Sequence, residues 1–451
     1  MWKRVIIFIL CAAILVSGIT VGATVLFTNQ YETLTNLQSE DSDSTAEVET
    51  TATPNVILKT SSDDDPFTET TTPESDYEFG TFGDVALEDA VDTEDTLQEE
   101  EYESRAKRIL ADMTLEEKIC QMLFITPEAL TGYSTVYQTG AATEAAYDKY
   151  PVGGIIYFSQ NLRSVSQTTE MISTLQDYVT ESTGIGLFIG VDEEGGSVAR
   201  VADNLGTTSF DDMRVYGEAG DTGVVYDLGY TQASELSALG FNVNFSPCAD
   251  VLTNENNTVV ADRSFGSDPE LVSSMVSSVV AGLTDGGILC SPKHFPGHGS
   301  TGSDTHNGYA SSERTLTELQ ECDLLPFQAA IDAGAPMIMV GHMTMTEIDP
   351  DNPASMSSEV ITGILRNRMG YDGIVITDAL NMSAITNYYT TSEFAVKCVS
   401  AGCDMLLCVS NVSTAIKALT AAVEDGTLTE KRIDESVTRI LLAKLRYGII
   451  E

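Results

Sequence analysis

Leu187-Phe188-Ile189-Gly190-Val191-Asp192-Glu193-Glu194-Gly195-Gly196 sets five apolar or small residues directly before three consecutive carboxylates. A short apolar run of this kind reads as a strand buried on both faces. The carboxylates that follow must then lie beyond the core, at the strand's C-terminal end. Comparable apolar runs occupy residues 119–125, 154–158, 241–245, 288–291, 337–340, 374–377 and 405–409. Segments of helical length and periodicity separate them, for example 165–179 and 271–283. The pattern predicts an α/β fold, a (β/α)8 TIM barrel in one catalytic domain spanning residues 101–451. An open doubly wound sheet is the alternative, and the first run, 119–125, is ambiguous with a helix. Titratable residues end several runs: Lys293 and His294 follow the fifth, His342 the sixth and Asp378 the seventh. Barrels keep their active sites at these C-terminal strand ends.

The 451 residues carry a formal net charge of -45. Much of the excess lies between residues 28 and 100, where about twenty Asp and Glu accompany a single basic residue, Lys59. This Ser/Thr-rich stretch has little to bury and predicts a disordered acidic stalk. So acidic a chain argues against nucleic acid as a partner. Before the stalk, Lys3 and Arg4 precede an uncharged apolar run, 5–27, long enough to span a bilayer. Residues 1–27 are therefore expected to be a transmembrane anchor with the rest of the chain extracytoplasmic. The alternatives are a cleaved signal peptide and, through Cys11, a lipoprotein. With the chain running to Glu451 after a final helical stretch, 430–447, no second domain is expected.

The eight cysteines are scattered through apolar runs with no CxxC pair, so they read as buried small hydrophobes. The four histidines, His294, His298, His306 and His342, all fall in the fifth and sixth units. His294 and His298 are spaced as metal ligands would be on a helix, but Pro296, Gly297 and Gly299 rule out a helix there. No metal and no other cofactor is expected, since neither a P-loop nor a Rossmann fingerprint appears. His298 and His342 are as readily packing histidines as functional ones.

The segment Lys293-His294-Phe295-Pro296-Gly297-His298-Gly299-Ser300-Thr301-Gly302-Ser303-Asp304-Thr305-His306 resembles the signature of family 3 glycoside hydrolases, in particular their single-domain β-N-acetylglucosaminidases. Asp192 to Gly196 with Arg200, Asp262 to Gly266, and Gly373 to Leu380 resemble further motifs of that family, in the same order. The resemblance implies that Asp378 is the nucleophile of a retaining mechanism. It implies His306 as general acid/base with Asp304 as its partner, on a glycine-rich loop. It also implies that Asp192, Arg200, Arg263, Lys293 and His294 bind the sugar. Glu193 and Glu194 are left between a supporting role and a solvated face. Two departures are visible: Thr305 stands where relatives carry Ser, and Ala379 where they often carry a second Asp. The expected activity is release of terminal β-linked N-acetylglucosamine from peptidoglycan-derived or chitin-like glycans by a monomeric catalytic domain. A phosphorylase, a β-glucosidase and a silent wall-binding protein are the competing readings.

Overall fold

The computed structural model describes residues 93–302 and 310–450. The expected anchor (1–27) and most of the expected stalk (28–100) lie outside the described residues. No helix among the described residues is long and apolar enough to cross a membrane.

Strands β1 (Leu123–Ile125), β2 (Gly154–Ile156), β3 (Phe188–Val191), β4 (Val243–Asn244), β5 (Leu289–Cys290), β6 (Met337–Val340), β7 (Ile374–Thr377) and β8 (Leu406–Leu407) match the eight apolar runs. They are all parallel. Six form one sheet in the order β8-β1-β2-β3-β4-β5, and β6 pairs with β7. Single parallel bridges join Phe295 to Val340 and Ile376 to Met405. Helices cover the sheet between successive strands, among them Val165–Thr183, Thr222–Leu239 and Pro269–Asp285. The chain is an α/β domain built on parallel strands, as the alternation of runs predicts.

Two expectations are corrected. The first run is a strand only from Leu123; Ile119 to Gln121 close the helix Leu115–Gln121. That helix starts at the capping box made by Thr114 and Glu117, which satisfies two orphan donors reciprocally and so wins the residues next to it. The stalk also ends earlier than residue 100, because Thr93–Asp112 is helical. The sequence reads as a helix over 105–113, and the structure extends it back to Thr93, with Ala106 buried and Tyr102, Ile109, Leu110 and the following Met113 packed on the core.

The sheet's interior is filled by rings. Phe124 stacks on Phe188 at 6.3 Å and meets Phe245 edge-on at 5.2 Å between centroids. Room for them comes from glycine. A Cβ at Gly190 would sit 2.7 Å from Phe124, and one at Gly154 would sit 2.8 Å from the same ring. At the base of β8, the buried Asp404 accepts from Arg366 at 2.5 Å, Ser436 at 2.6 Å and the Val375 N–H at 2.9 Å. These bonds tie β7, β8 and the final helix, Glu430–Arg446, together.

That helix carries Lys444 into the interior, where its Nζ donates to Gln121 at 2.8 Å and lies 5.0 Å from the Phe188 ring centroid. Burial pushes the ammonium down to about 7, with no carboxylate to offset it. The unfolded chain therefore binds a proton that the folded chain gives up between pH ~7 and ~10.5. The penalty is full below pH 7 and fades as pH rises to 10.5. Lys444→Met should raise the melting temperature, most at pH 6 and little at pH 10. An equal gain at both pH values in thermal unfolding would contradict the assignment.

Candidate active site

Asp378 leaves β7 at its C-terminal end. Its N–H donates to the Val340 carbonyl at 2.8 Å, and its Oδ1 accepts from the Ala379 N–H at 2.7 Å. Side chains from five other strand ends or loops line the same cavity of about 320 Å³: Phe158, Asp192, Glu194, Arg263, Lys293, His294 and Cys408 among them. A larger cavity of about 670 Å³ opens at the other end of β6 and β7; its charged residues, among them Asp372, Lys431, Glu435 and Arg439, come from one loop and the final helix and not from several strand ends.

The polar wall is one continuous ion-pair chain. Asp192 accepts from Arg200 at 3.3 Å through Oδ2 and from Lys293 at 2.9 Å through Oδ1. Lys293 also reaches Glu194 at 2.6 Å, and Glu194 receives a two-pronged guanidinium from Arg263, both bonds 2.8 Å. Lys293 is 3% exposed and Glu194 2%. Burial alone would raise the Glu194 carboxyl. The charges of Arg263 and Lys293 override it and hold the group well below the ordinary range. Three cations thus face two carboxylates, leaving one positive charge opposite Asp378. Burial likewise works to raise Asp378. His294, His342, the Ala379 N–H and Lys293 outweigh it and bring the carboxyl down to about 2.

His294 is fixed by the fully buried Asp250. Its Nδ1 lies 2.8 Å from Asp250 Oδ2, and the His294 and His298 N–H groups donate to Oδ1 at 3.3 and 2.6 Å. With Nδ1 committed, Nε2 is the ring nitrogen left for a ligand. Cys248, Asp250 and His294 also form a group whose potential ligand atoms lie within 4.8 Å of one another. Their protons already complete it: the thiol donates to Asp250 at 3.2 Å, and burial keeps it far above its usual range, hence a thiol and not a thiolate. His342 is buried, with Nε2 3.2 Å from the Ala379 carbonyl and Nδ1 2.8 Å from Ser355 Oγ. A carbonyl only accepts, so Nε2 carries the proton, and burial lowers the ring's proton affinity. His342 thereby braces the residue after Asp378. His298 packs against the loop through Thr301.

All five expected sugar-binding residues and Asp378 are brought to this one cavity. Asp304 and His306 lie outside the described residues. The segments beside them are joined, since Ser300 and Ser312 share a hydroxyl bond of 2.9 Å, and Ser311–Ser312 pairs with Thr344–Met345. Sequence reasoning undervalued Glu193 and Glu194 and passed over Asp250, Asn244 and Cys408. Glu193 accepts from the Val201 and Ala202 N–H groups at 2.6 and 3.2 Å, which seats the helix that begins at Arg200. Burial raises its carboxyl to about 7. Asn244 grips both the N–H and the carbonyl of Glu193. Cys408 adopts φ +56° at the end of β8, a left-handed conformation rare outside glycine and a mark of functional sites. An Asp five residues past the fourth run, and an Asn inside that run, were the available signals.

The model of the glycosyl hydrolase family 3 N terminal domain matches residues 114–443. A beta-hexosaminidase A from Pseudoalteromonas piscicida is 32% identical over 322 residues, which are 66% of this chain and 54% of that one. The structure of a glycoside hydrolase family 3 beta-N-acetylglucosaminidase from Paenibacillus sp. str. FPU-7 superposes with a TM-score of 0.70 at 37% identity, covering 75% of this chain and 63% of that one. The structure of beta-glucoside phosphorylase BglX bound to 2FGlc superposes at 0.68 and 26% identity, covering 77% and 61%. The chain therefore spans little more than half of that curated relative and under two thirds of either solved structure.

Removing Glu194 leaves two desolvated cations facing each other. Glu194→Ala should cost about 3–5 kcal/mol in chemical denaturation, the range for breaking a buried pair from one side. A loss within that of an ordinary surface change would show the pair to be solvated.

Proposed function

Because the chain belongs to glycosyl hydrolase family 3, we propose that it is a retaining β-N-acetylhexosaminidase acting on terminal β-linked N-acetylglucosamine. The observation that carries this reading is the position of Asp378, a carboxylate ionised down to about pH 2, opposite the buried Asp192–Lys293–Glu194 chain in a cavity of monosaccharide scale. In this reading Asp192, Arg200, Arg263, Lys293 and His294 hold the terminal ring through its hydroxyls, Asp192 accepting and the others donating. An Asp378 oxygen bonds to the anomeric carbon as that carbon's bond to the aglycone oxygen breaks. The leaving oxygen takes a proton from His306, which Asp304 orients. Water then attacks the same carbon, gives its proton to His306 and frees Asp378.

The wider architecture is part of the proposal. The Phe295–Val340 and Ile376–Met405 bridges support closure of β1 to β8 into a (β/α)8 barrel. The N-terminal anchor, the acidic stalk, an extracytoplasmic catalytic domain and a monomeric state rest on the sequence. Cell-wall fragments are the substrate such a placement favours.

Phosphorolysis is the second reading, favoured by the likeness to beta-glucoside phosphorylase BglX and by the three cations around the cavity. One assay separates the possibilities: p-nitrophenol release from the β-N-acetylglucosaminide and the β-glucoside, with and without phosphate. Hydrolysis predicts phosphate-independent release from the N-acetyl substrate. Asp378→Asn should lower kcat by on the order of a thousandfold or more while the protein still folds. Comparable turnover in the variant would remove Asp378 from the nucleophile's role.

The pH dependence has a definite shape. With its carboxyl at about 2, Asp378 is ionised throughout pH 4–9 and contributes no acid limb there. Loss of the acid's proton from His306, near ~6.5 for a free imidazole, should make kcat/KM fall on the alkaline side. An acid limb that survives Glu193→Gln and is centred above pH 5 would count against Asp378 as the ionised group.

A further inference from the structure

Between β1 and the helix Ala141–Lys149 the chain passes across the same end of the sheet that carries Asp378. Along that passage Tyr133 is 60% exposed and Tyr137 38%. Both line a groove of about 310 Å³ together with Thr135, Gln138 and Gly140. Tyr230 and Tyr388 are comparably exposed; Tyr133 and Tyr137 differ in lining one groove together.

Neither ring sits on a loose loop. The Val136 N–H donates to Glu128 at 2.9 Å, Gln167 donates to the Tyr137 carbonyl at 2.7 Å, and Thr139 to the Met171 carbonyl at 2.7 Å. The Arg163 guanidinium covers one face of Tyr137, 3.4 Å from the ring centroid. The groove is also next to the catalytic cavity. The buried Asn161 carboxamide donates to the Val136 carbonyl at 2.7 Å and accepts from the Phe158 N–H at 2.8 Å. Phe158 lines the cavity of Asp378, and the Arg200 guanidinium lies over its ring. One amide side chain therefore separates the wall of the cavity from the tyrosine loop.

We propose that Tyr133 and Tyr137 form an aglycone subsite that stacks the second and third sugar rings of a linear β-linked N-acetylglucosamine oligomer whose terminal ring occupies the Asp378 cavity. The inference rests on the glycosidase reading for its substrate class. A pyranose presents an apolar C–H face and a polar rim, which suits a tyrosine's apolar face flanked by the Gln138 and Thr135 side chains. Rigid rings lose little conformational freedom on binding, so a preformed platform adds affinity for longer substrates without touching the reacting bond.

The test is calorimetric binding of N-acetylglucosamine oligomers of one to four rings to the full chain carrying Asp378→Asn, with and without Tyr133→Ala and Tyr137→Ala. We expect affinity to rise about tenfold or more from one ring to three, and the rise to shrink below about twofold in the double tyrosine variant. Tyr133→Phe with Tyr137→Phe should restore it. A length dependence unchanged by the alanines, or none at all, overturns the proposal. In the chain with Asp378 intact, the alanine changes should leave hydrolysis of methyl β-N-acetylglucosaminide at its original value, because a methyl aglycone does not reach the place of the second ring. No turnover of p-nitrophenyl β-N-acetylglucosaminide by the unaltered chain would sink the hydrolase reading, and the length dependence would still decide the platform.

Discussion

An ammonium group taken out of water between two carboxylates is expensive unless every partner is in place. Lys293 is in that position. Its Nζ meets Asp192 and Glu194 within 3 Å, and each acid has a guanidinium on its far side. The alternation of sign along this string, Arg200, Asp192, Lys293, Glu194, Arg263, makes each ion tolerable to its neighbours. Each member is contributed by a loop or strand end near β3, β4 or β5, so the three units must be in register for the string to close. Once closed, it surrounds the cavity with oriented donors that need not reorganise when a ligand arrives. The low proton affinity of Asp378 comes chiefly from His294 and His342, then from the Ala379 N–H, with Lys293 of this string adding to them.

Supporting groups extend this order outward. Asp250 holds His294, Glu193 seats the start of the Arg200 helix, Asn244 holds Glu193, and His342 braces Ala379 behind Asp378. A site made only of the contacting residues would be free to slacken by an ångström, and precision of that order decides rates.

Much of this was legible beforehand because strands buried on both faces leave an unmistakable trace. Runs such as Ile374–Thr377 and Met337–Val340 contain nothing but residues a dry interior accepts, and the first polar residue after each is at the functional rim. Glu194 was not legible, because the letters of 192–194 are three similar acids; only the position of Arg263, 69 residues on, tells a buried pair from a solvated face. The second half of the helix Thr93–Asp112, from Arg105, was legible as a helix; its start was hidden for the opposite reason, since its acidic first turns continue the composition of the stretch before it. Asn244 ends β4 and Asp250 lies six residues further on; both gain their roles from partners distant in sequence.

The helix Thr93–Asp112 packs against Glu430–Arg446, and Arg446 pairs with Glu99. Lys118, in the next helix, adds bonds to Glu430 and Asp434. The first described segments thus find their partners in the last described ones. During synthesis at several residues per second, the early helices must wait for more than three hundred residues to emerge before their apolar stripe is covered. Vectorial folding can proceed unit by unit through the middle strands, but the domain is sealed in one late step, when the C-terminal helix arrives. Until then the seam around Ala106 and Leu110 is open to chaperones and proteases.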